Sequence, residues 1–456
     1  MNVIDKLVGS IWNHLRKRPT PPEGKAVALG HLVTEGEVKN RTVGLSDVQR
    51  TMHVAILGKT GSGKSSLLRH MAEQDIEAGR GFIFFDLHGD ATQFLLRRIA
   101  RREVELQEKL HERLIVIQPG DGEFSVGLNP LEQGGNPSFV RIAEFTQLLM
   151  QRWGLERFGA RTDELLRNSL YVLSANNLTL LELAPLLTNV GFRAVCLKRT
   201  PNAEVRQYFE ARYNKASEPM QATMREPILN RTSAFTADPS FRAIVGQQHS
   251  TFSLTEAMDK GYWVIADLPK GKLGEQSLTL GSLLLTIAKQ ALFARNRRNL
   301  FTMYVDEVQN YLAYDSGIET ILSEARKFGV SVVSANQFLG QYSDEVRAAI
   351  LSVGTQVFFQ LSPIDAGQVA QALDGGKSLA ERLKNLPQRH FVLKRGVDRW
   401  REGRVPTVAC SRASVADLLN RARSFHGRSL TEIEKEIATR QKAATQTTQE
   451  VRDVWE

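Results

Sequence analysis

Two short stretches carry residues whose types and spacing suit phosphate chemistry. The first is Gly58, Lys59, Thr60, Gly61, Ser62, Gly63, Lys64, Ser65 and Ser66. Residues 58–65 fit the pattern G-x-x-x-x-G-K-[ST]. Gly58, Gly61 and Gly63 allow tight turns that aim successive backbone N–H groups into one anion-binding nest. A helix N-terminus directly behind the loop adds its positive end. From there Lys64 can reach the β- and γ-phosphates of a nucleoside triphosphate, and Ser65 can offer its hydroxyl to Mg²⁺. The second stretch is Asp306 and Glu307. Asp306 suits the shell of the same Mg²⁺, and Glu307 can polarise an attacking water as a general base. Such a pair is a weak signal alone and a strong one beside a phosphate loop. Gln337 is a third candidate: an amide at a strand tip can sense the γ-phosphate, or it can be a plain turn residue. The implied cofactors are ATP and Mg²⁺.

These side chains need strands that end together. The apolar run 54–57 reads as a buried strand, and Leu67, Leu68, Met71 and Ile76 follow it at helical spacing. Residues 301–305 form a strand that ends at the acidic pair, and 330–334 form one that leads to Asn336 and Gln337. Another, 82–85, ends in Asp86, Leu87, His88, Gly89 and Asp90. That tip is either part of a ligand site or an ordinary turn with a helix cap at Asp90. Residues 114–117, 262–267, 353–361 and 391–394 also read as strands. The fold class expected is α/β, with a mostly parallel, RecA-like sheet around the phosphate loop. Between 138 and 234 the spacing is helical, so an all-helical insertion is expected. The division is 1–24 (amphipathic helix and Pro-rich linker), 25–137 (first part of the nucleotide-binding domain), 138–234 (insertion), 235–411 (second part) and 412–456 (helical tail, disordered from Lys442).

At 456 residues the chain exceeds one compact domain, and 42% hydrophobic with 24% charged content fits a globular protein. Lys and Arg exceed Asp and Glu by 59 to 50, a net charge of +9. That balance aids solubility and also suits a polyanion partner. Two cysteines give neither a metal-ligand pattern nor a disulfide framework, and a reducing cytoplasm fits them. No stretch reads as a membrane span or signal peptide. Ile4, Leu7, Val8, Ile11 and Leu15, flanked by basic residues, make an amphipathic helix suited to docking on protein more than on a membrane surface. Arg97, Arg98, Arg101 and Arg102 are either a solvated face or a binding patch, and Arg295, Arg297 and Arg298 read as cations at a helix C-terminus.

Taken together, His53 with the phosphate loop, the tip at 86–90, Asn129 to Leu131, Val305 to Glu307, Ala325 to Gly329, and Asn336 with Gln337 resemble the HerA/FtsK superfamily of DNA-pumping ATPases. The resemblance extends over about 29–408 and is strongest to type IV secretion coupling proteins and their soluble relatives. It implies a hexameric ring with DNA in the pore, and an insertion that meets the relaxosome or substrates. It also implies that Arg326 is presented to a neighbouring subunit's nucleotide. The alternative for Arg326 is a helix C-terminal cation, with Lys327 the next finger candidate. Lys270 and Lys272, in the glycine-rich loop 268–274, are candidates for DNA contact or a solvated turn. The function expected is ATP-driven DNA translocation in conjugative transfer. The partners expected are DNA, further copies of the chain, and a relaxase or secretion component. A HerA-like helicase-translocase in repair or phage defence uses the same motifs; an NTP-gated scaffold that recruits substrates is a third reading. The family's transmembrane pair is not seen, so a cytoplasmic place is expected, with recruitment to the inner membrane face left open. Leu87 stands where the family usually has proline.

Overall fold

The computed structural model describes residues 27–452, apart from 121, 133–137, 312–317 and 409–412. The amphipathic helix expected within 1–24 lies outside the described residues. Strand β1 (Val27–Thr34) and β2 (Glu37–Leu45) form a hairpin that leads to β3 (Val54–Leu57), the phosphate-loop strand. Then come β4 (Gly81–Asp86), β5 (Leu114–Ile117), the short β6 (Phe124–Ser125), β7 (Trp263–Asp267), β8 (Phe301–Val305) and β9 (Val330–Asn336). The last are β10 (Thr355–Phe358), β11 (His390–Arg395), β12 (Arg401–Arg404) and β13 (Arg428–Ser429), which pairs with β6.

One eleven-stranded sheet runs in the order β2-β1-β12-β11-β10-β3-β9-β8-β4-β7-β5. From β10 to β5 every neighbouring pair is parallel, and from β10 to β2 every pair is antiparallel. The parallel strands are nearly continuous apolar runs because helices cover both faces. Alternation splits each strand between two cores. Phe82 and Phe84 pack with Leu67, Leu68 and Met71 of the phosphate-loop helix Lys64–Glu77. Ile83 and Phe85 face the other way and share one apolar cluster with Leu284 of the helix Glu275–Phe293 and with insertion residues such as Leu165 and Phe235. The insertion is therefore packed onto the sheet through a continuous core.

Among the described residues no strand lies between Ser125 and Trp263. The expected boundary at Ala234 falls inside the helix Glu218–Thr236, and the helices Pro239–Val245 and Leu254–Lys260 follow before β7. A single helix, Leu430–Arg452, contains the stretch expected to be disordered from Lys442. Ile433 and Ile437 bury against Leu181 and Ala243, and Arg440 bonds the buried Glu182 at 3.1 Å. Asn189 Nδ2 donates to the Ala444 carbonyl at 2.7 Å. No single helix among the described residues is long and apolar enough to cross a membrane.

Candidate nucleotide site

The strand order decides what meets at the carboxyl edge of the sheet. β9 lies between the phosphate-loop strand β3 and the acidic strand β8, so its tip sits between the loop and the carboxylates. The loop is fastened to its neighbours by backbone. Gly58 N–H donates to the Asn336 carbonyl at 3.1 Å, and Lys59 N–H to that of Gln360 at 2.8 Å. Two glycines here cannot be exchanged. A Cβ on Gly58 would come within 2.6 Å of Phe359 Cβ. Gly63 has φ +127°, and a Cβ there would meet the Arg389 Cα at 3.0 Å.

The expected residues do come together. Lys64 is buried and its ammonium turns back on the loop, donating to the Gly58 carbonyl at 2.7 Å and that of Lys59 at 3.2 Å. Burial lowers its pKa, and the charges of Glu307 and Asp306 oppose that. Ser65 Oγ donates to Asp306 Oδ2 at 3.0 Å. Burial raises the Asp306 pKa, the Glu307 charge adds to it, and Ser65 and Lys64 work against both. Glu307 adopts left-handed backbone, φ +51°, while its N–H donates to Asp306 Oδ1 at 3.0 Å. Gln337 Nε2 donates to Glu307 Oε1 at 3.0 Å. Residues 58–66 thus form a glycine-walled cradle at a helix N-terminus, with a cation inside it and an oxygen pair beside it. That donor set fits a triphosphate with Mg²⁺: Lys64 and the loop N–H groups for phosphate, Ser65 and Asp306 for the metal.

The Asp86 tip stands beside the acidic strand, since β4 neighbours β8, and the cap of the following helix is Gly89 rather than the expected Asp90. The Asp86 carboxylate accepts from the N–H groups of His88 (3.2 Å), Gly89 (2.9 Å) and Thr92 (2.7 Å) and from Thr92 Oγ1 (2.9 Å), which starts the helix Asp90–Leu106. Lys270 and Lys272 lie in a one-turn helix, Lys270–Leu273, after β7, and Lys270 pairs with Glu275 at 2.8 Å. β7 is separated from the acidic strand β8 by β4. Arg295 does not cap the helix Glu275–Phe293 as expected: its side chain is buried and bonds Asp259 at 3.1 Å, the Phe328 carbonyl at 2.8 Å and the Met258 carbonyl at 3.1 Å.

Arg326 is not part of this cradle. It sits in the turn Ala325–Phe328 that feeds the amino end of β9, whereas Gln337 follows the carboxyl end. A seven-residue strand separates them by roughly 20 Å. Arg326 is exposed, and Lys327 is paired with Glu324 at 2.5 Å.

Several contacts have no counterpart in the sequence reading. Gln309 Nε2 donates to Glu307 Oε2 at 2.6 Å. Its place two residues after Glu307 was the only available signal. A strap from the far end of the chain holds the loop: Arg389 N–H donates to the Ser62 carbonyl at 2.7 Å, and Gln388 Nε2 to that of Gly61 at 3.1 Å. No local pattern announces it. A buried network behind the site joins the phosphate-loop helix to β8. Arg50 and Asp75, both with fully buried side chains, pair at 2.6 Å, and Arg50 also reaches Thr302 at 2.7 Å. Tyr304 donates to Asp75 at 2.6 Å. Burial alone would raise the Asp75 pKa, but Arg50, Arg80 and Tyr304 together outweigh it and the pKa is lowered.

Residues 27–232 match the family model described as Helicase HerA, central domain. No curated protein matches the sequence. Among solved structures, the unbound bacterial conjugative coupling protein TrwBdeltaN70 superposes with a TM-score of 0.60 at 15% identity, covering 85% of this chain and 91% of its own. The plasmid coupling protein TrwB in complex with ADP and Mg²⁺ gives 0.57 at 16% identity, covering 86% of this chain and 97% of its own. VirB4 of Thermoanaerobacter pseudethanolicus gives 0.56 at 16% identity over 85% of this chain and 98% of its own. With the cradle, the acidic strand tip and the sheet that joins them, the chain has the fold of the coupling protein TrwB and of VirB4, and its first half resembles the central domain of helicase HerA.

Proposed function

We propose that the chain is an ATP-driven DNA translocase, a coupling ATPase that acts as a hexameric ring in conjugative DNA transfer. The observation that supports this best is the meeting of Lys64, Ser65, Asp306, Glu307 and Gln337 at one sheet edge within a coupling-protein fold. In this reading Lys64 and the N–H groups of residues 58–66 hold the phosphates of ATP. Ser65 and Asp306 hold Mg²⁺, which when bound offsets phosphate charge. Glu307 orients and deprotonates the attacking water, and Gln337 links that carboxylate to the γ-phosphate position. Arg326 lies too far from its own cradle to act there, which supports a role in trans, on the nucleotide of the next subunit. With Lys327 occupied by Glu324, Arg326 is the better finger. The net charge of +9 suits phosphate contacts, with Lys270 and Lys272 as candidates at the carboxyl edge. The helical insertion is the surface for a relaxase or another secretion component.

A second reading, a helicase-translocase in repair or phage defence, is favoured by the HerA description of residues 27–232. A relaxase encoded beside this chain supports the first reading, and a nuclease the second. DNA-stimulated ATP hydrolysis tests the engine common to both. Turnover should rise on addition of DNA of any sequence, and the stimulation should fall steeply with salt. DNA binding and nucleotide binding without turnover would replace both readings with a nucleotide-gated scaffold.

A further inference from the structure

Glu307 must present one carboxylate oxygen to a water in a fixed direction, yet it stands on left-handed backbone just beyond the end of β8. Two bonds restrain its carboxylate. Gln337 takes one oxygen at 3.0 Å and Gln309 the other at 2.6 Å. The Gln309 side chain is itself held, because Asn336 Nδ2 donates to its Oε1 at 2.5 Å. Asn336 is buried, and its backbone carbonyl is the acceptor for Gly58 N–H at 3.1 Å. A continuous path of hydrogen bonds therefore runs from the first glycine of the phosphate loop, through Asn336 and Gln309, to the carboxylate.

Gln309 has both ends of its amide engaged, one as donor and one as acceptor, as a spacer between strand tip and carboxylate requires. The short turn Val308–Asn310 fixes where that amide starts, since Asn310 N–H returns to the Glu307 carbonyl at 2.9 Å. A surface glutamine with no task would leave its amide to water. Here the half-buried side chain spans two groups that belong to different strands.

We propose that Gln309 is a positioning residue for ATP hydrolysis: its amide sets the direction of the Glu307 carboxylate and ties it to the phosphate loop through Asn336. This rests on the reading of Glu307 as the water-activating group. Gln309 touches neither phosphate nor water in this account. Its removal should lower turnover and leave nucleotide affinity alone.

The test is steady-state ATPase kinetics, with DNA, on the full chain. Gln309→Met keeps the length of the side chain and removes both hydrogen bonds. Its kcat should fall by about 10–100-fold, the usual effect of losing a partner that orients a reacting group. The KM for ATP and the affinity for a fluorescent ATP analogue should stay within about twofold, a split that a merely structural role would not produce. Gln309→Asn retains the amide but shortens its reach, and it should also lose kcat. If either variant folds and turns over ATP at the wild-type rate, the proposal is overturned. Glu307→Gln, assayed in parallel, separates the two levels. Should it keep wild-type turnover, the reading of Glu307 itself fails. Should it be inactive in turnover while Gln309→Met is unaffected, only the positioning role fails. In the double variant, Gln309→Met should add no further loss to Glu307→Gln, because it acts through that carboxylate. An additional tenfold drop would show an independent role and overturn the proposal.

Discussion

Replacing His53 with asparagine tests how the phosphate-loop strand is anchored at its amino end. His53 immediately precedes β3 and is buried, with φ +66°. Its Nδ1 accepts from the Val332 N–H of β9 at 3.1 Å, so the ring is neutral. Burial pushes its pKa down from 6.5 to about 4, and the Arg326 charge adds to the fall. The sign follows from linkage. Between pH 6.5 and 4 the unfolded chain takes up the proton and the folded chain does not. The histidine's contribution is thus complete above the unfolded value and is lost as pH falls toward the folded one. From pH 7 to pH 5 the loss is about 2 kcal/mol, and it approaches about 3 kcal/mol near pH 4. Asparagine tolerates the left-handed backbone and can place an amide oxygen near the position of Nδ1, but it does not titrate. Urea unfolding of both proteins across pH 5–7 should therefore show the wild type losing about 2 kcal/mol more than His53→Asn. Parallel pH dependences would refute the buried neutral histidine and the link between β3 and β9 that depends on it.

Gly63→Ala should abolish binding of a fluorescent ATP analogue, because a Cβ at φ +127° meets the Arg389 backbone that holds the loop. Tyr304→Phe should keep nucleotide affinity while lowering unfolding free energy by about 1–3 kcal/mol, since it strips a donor from the buried Asp75. Arg326→Ala should be nearly inactive alone yet regain ATPase when mixed with Lys64→Ala subunits. Mixed rings then contain interfaces with an intact cradle facing an intact finger, a contact worth about 10³–10⁵ in rate. No recovery in rings shown to have mixed would place Arg326 outside transfer in trans.

Residues that act within one local segment were legible from their order alone. The loop 58–66 and the pair Asp306 and Glu307 carry their chemistry in consecutive positions, and β3 and β8 are apolar runs that end at them. The strand between them was legible too, which placed Gln337 beside Glu307. What escaped was made by distant pairing. β12 reads Arg401, Glu402, Gly403, Arg404, with no apolar alternation, and is a strand because its backbone pairs with β1 on one side and β11 on the other, while Arg382 bonds Glu402. The strap at Gln388 and Arg389 reaches the loop from more than 320 residues away, so no window contains both partners. The tail from Lys442 is polar by composition and helical because the preceding turns dock on the insertion. Asp86 read either as a ligand-site tip or as a turn; its four hydrogen bonds close the turn, and β4 sets that tip beside the acidic strand β8.

Single-turnover hydrolysis of ATP by Glu307→Gln, in the presence of DNA and beside the wild type and Lys64→Ala, tests the central claim most directly. Lys64→Ala should fail to bind ATP. Glu307→Gln should bind ATP as tightly as the wild type, since the phosphate cradle is intact, and its rate of hydrolysis should drop by at least about 100-fold because the water loses its base. Hydrolysis at the wild-type rate by a folded Glu307→Gln protein would contradict the account.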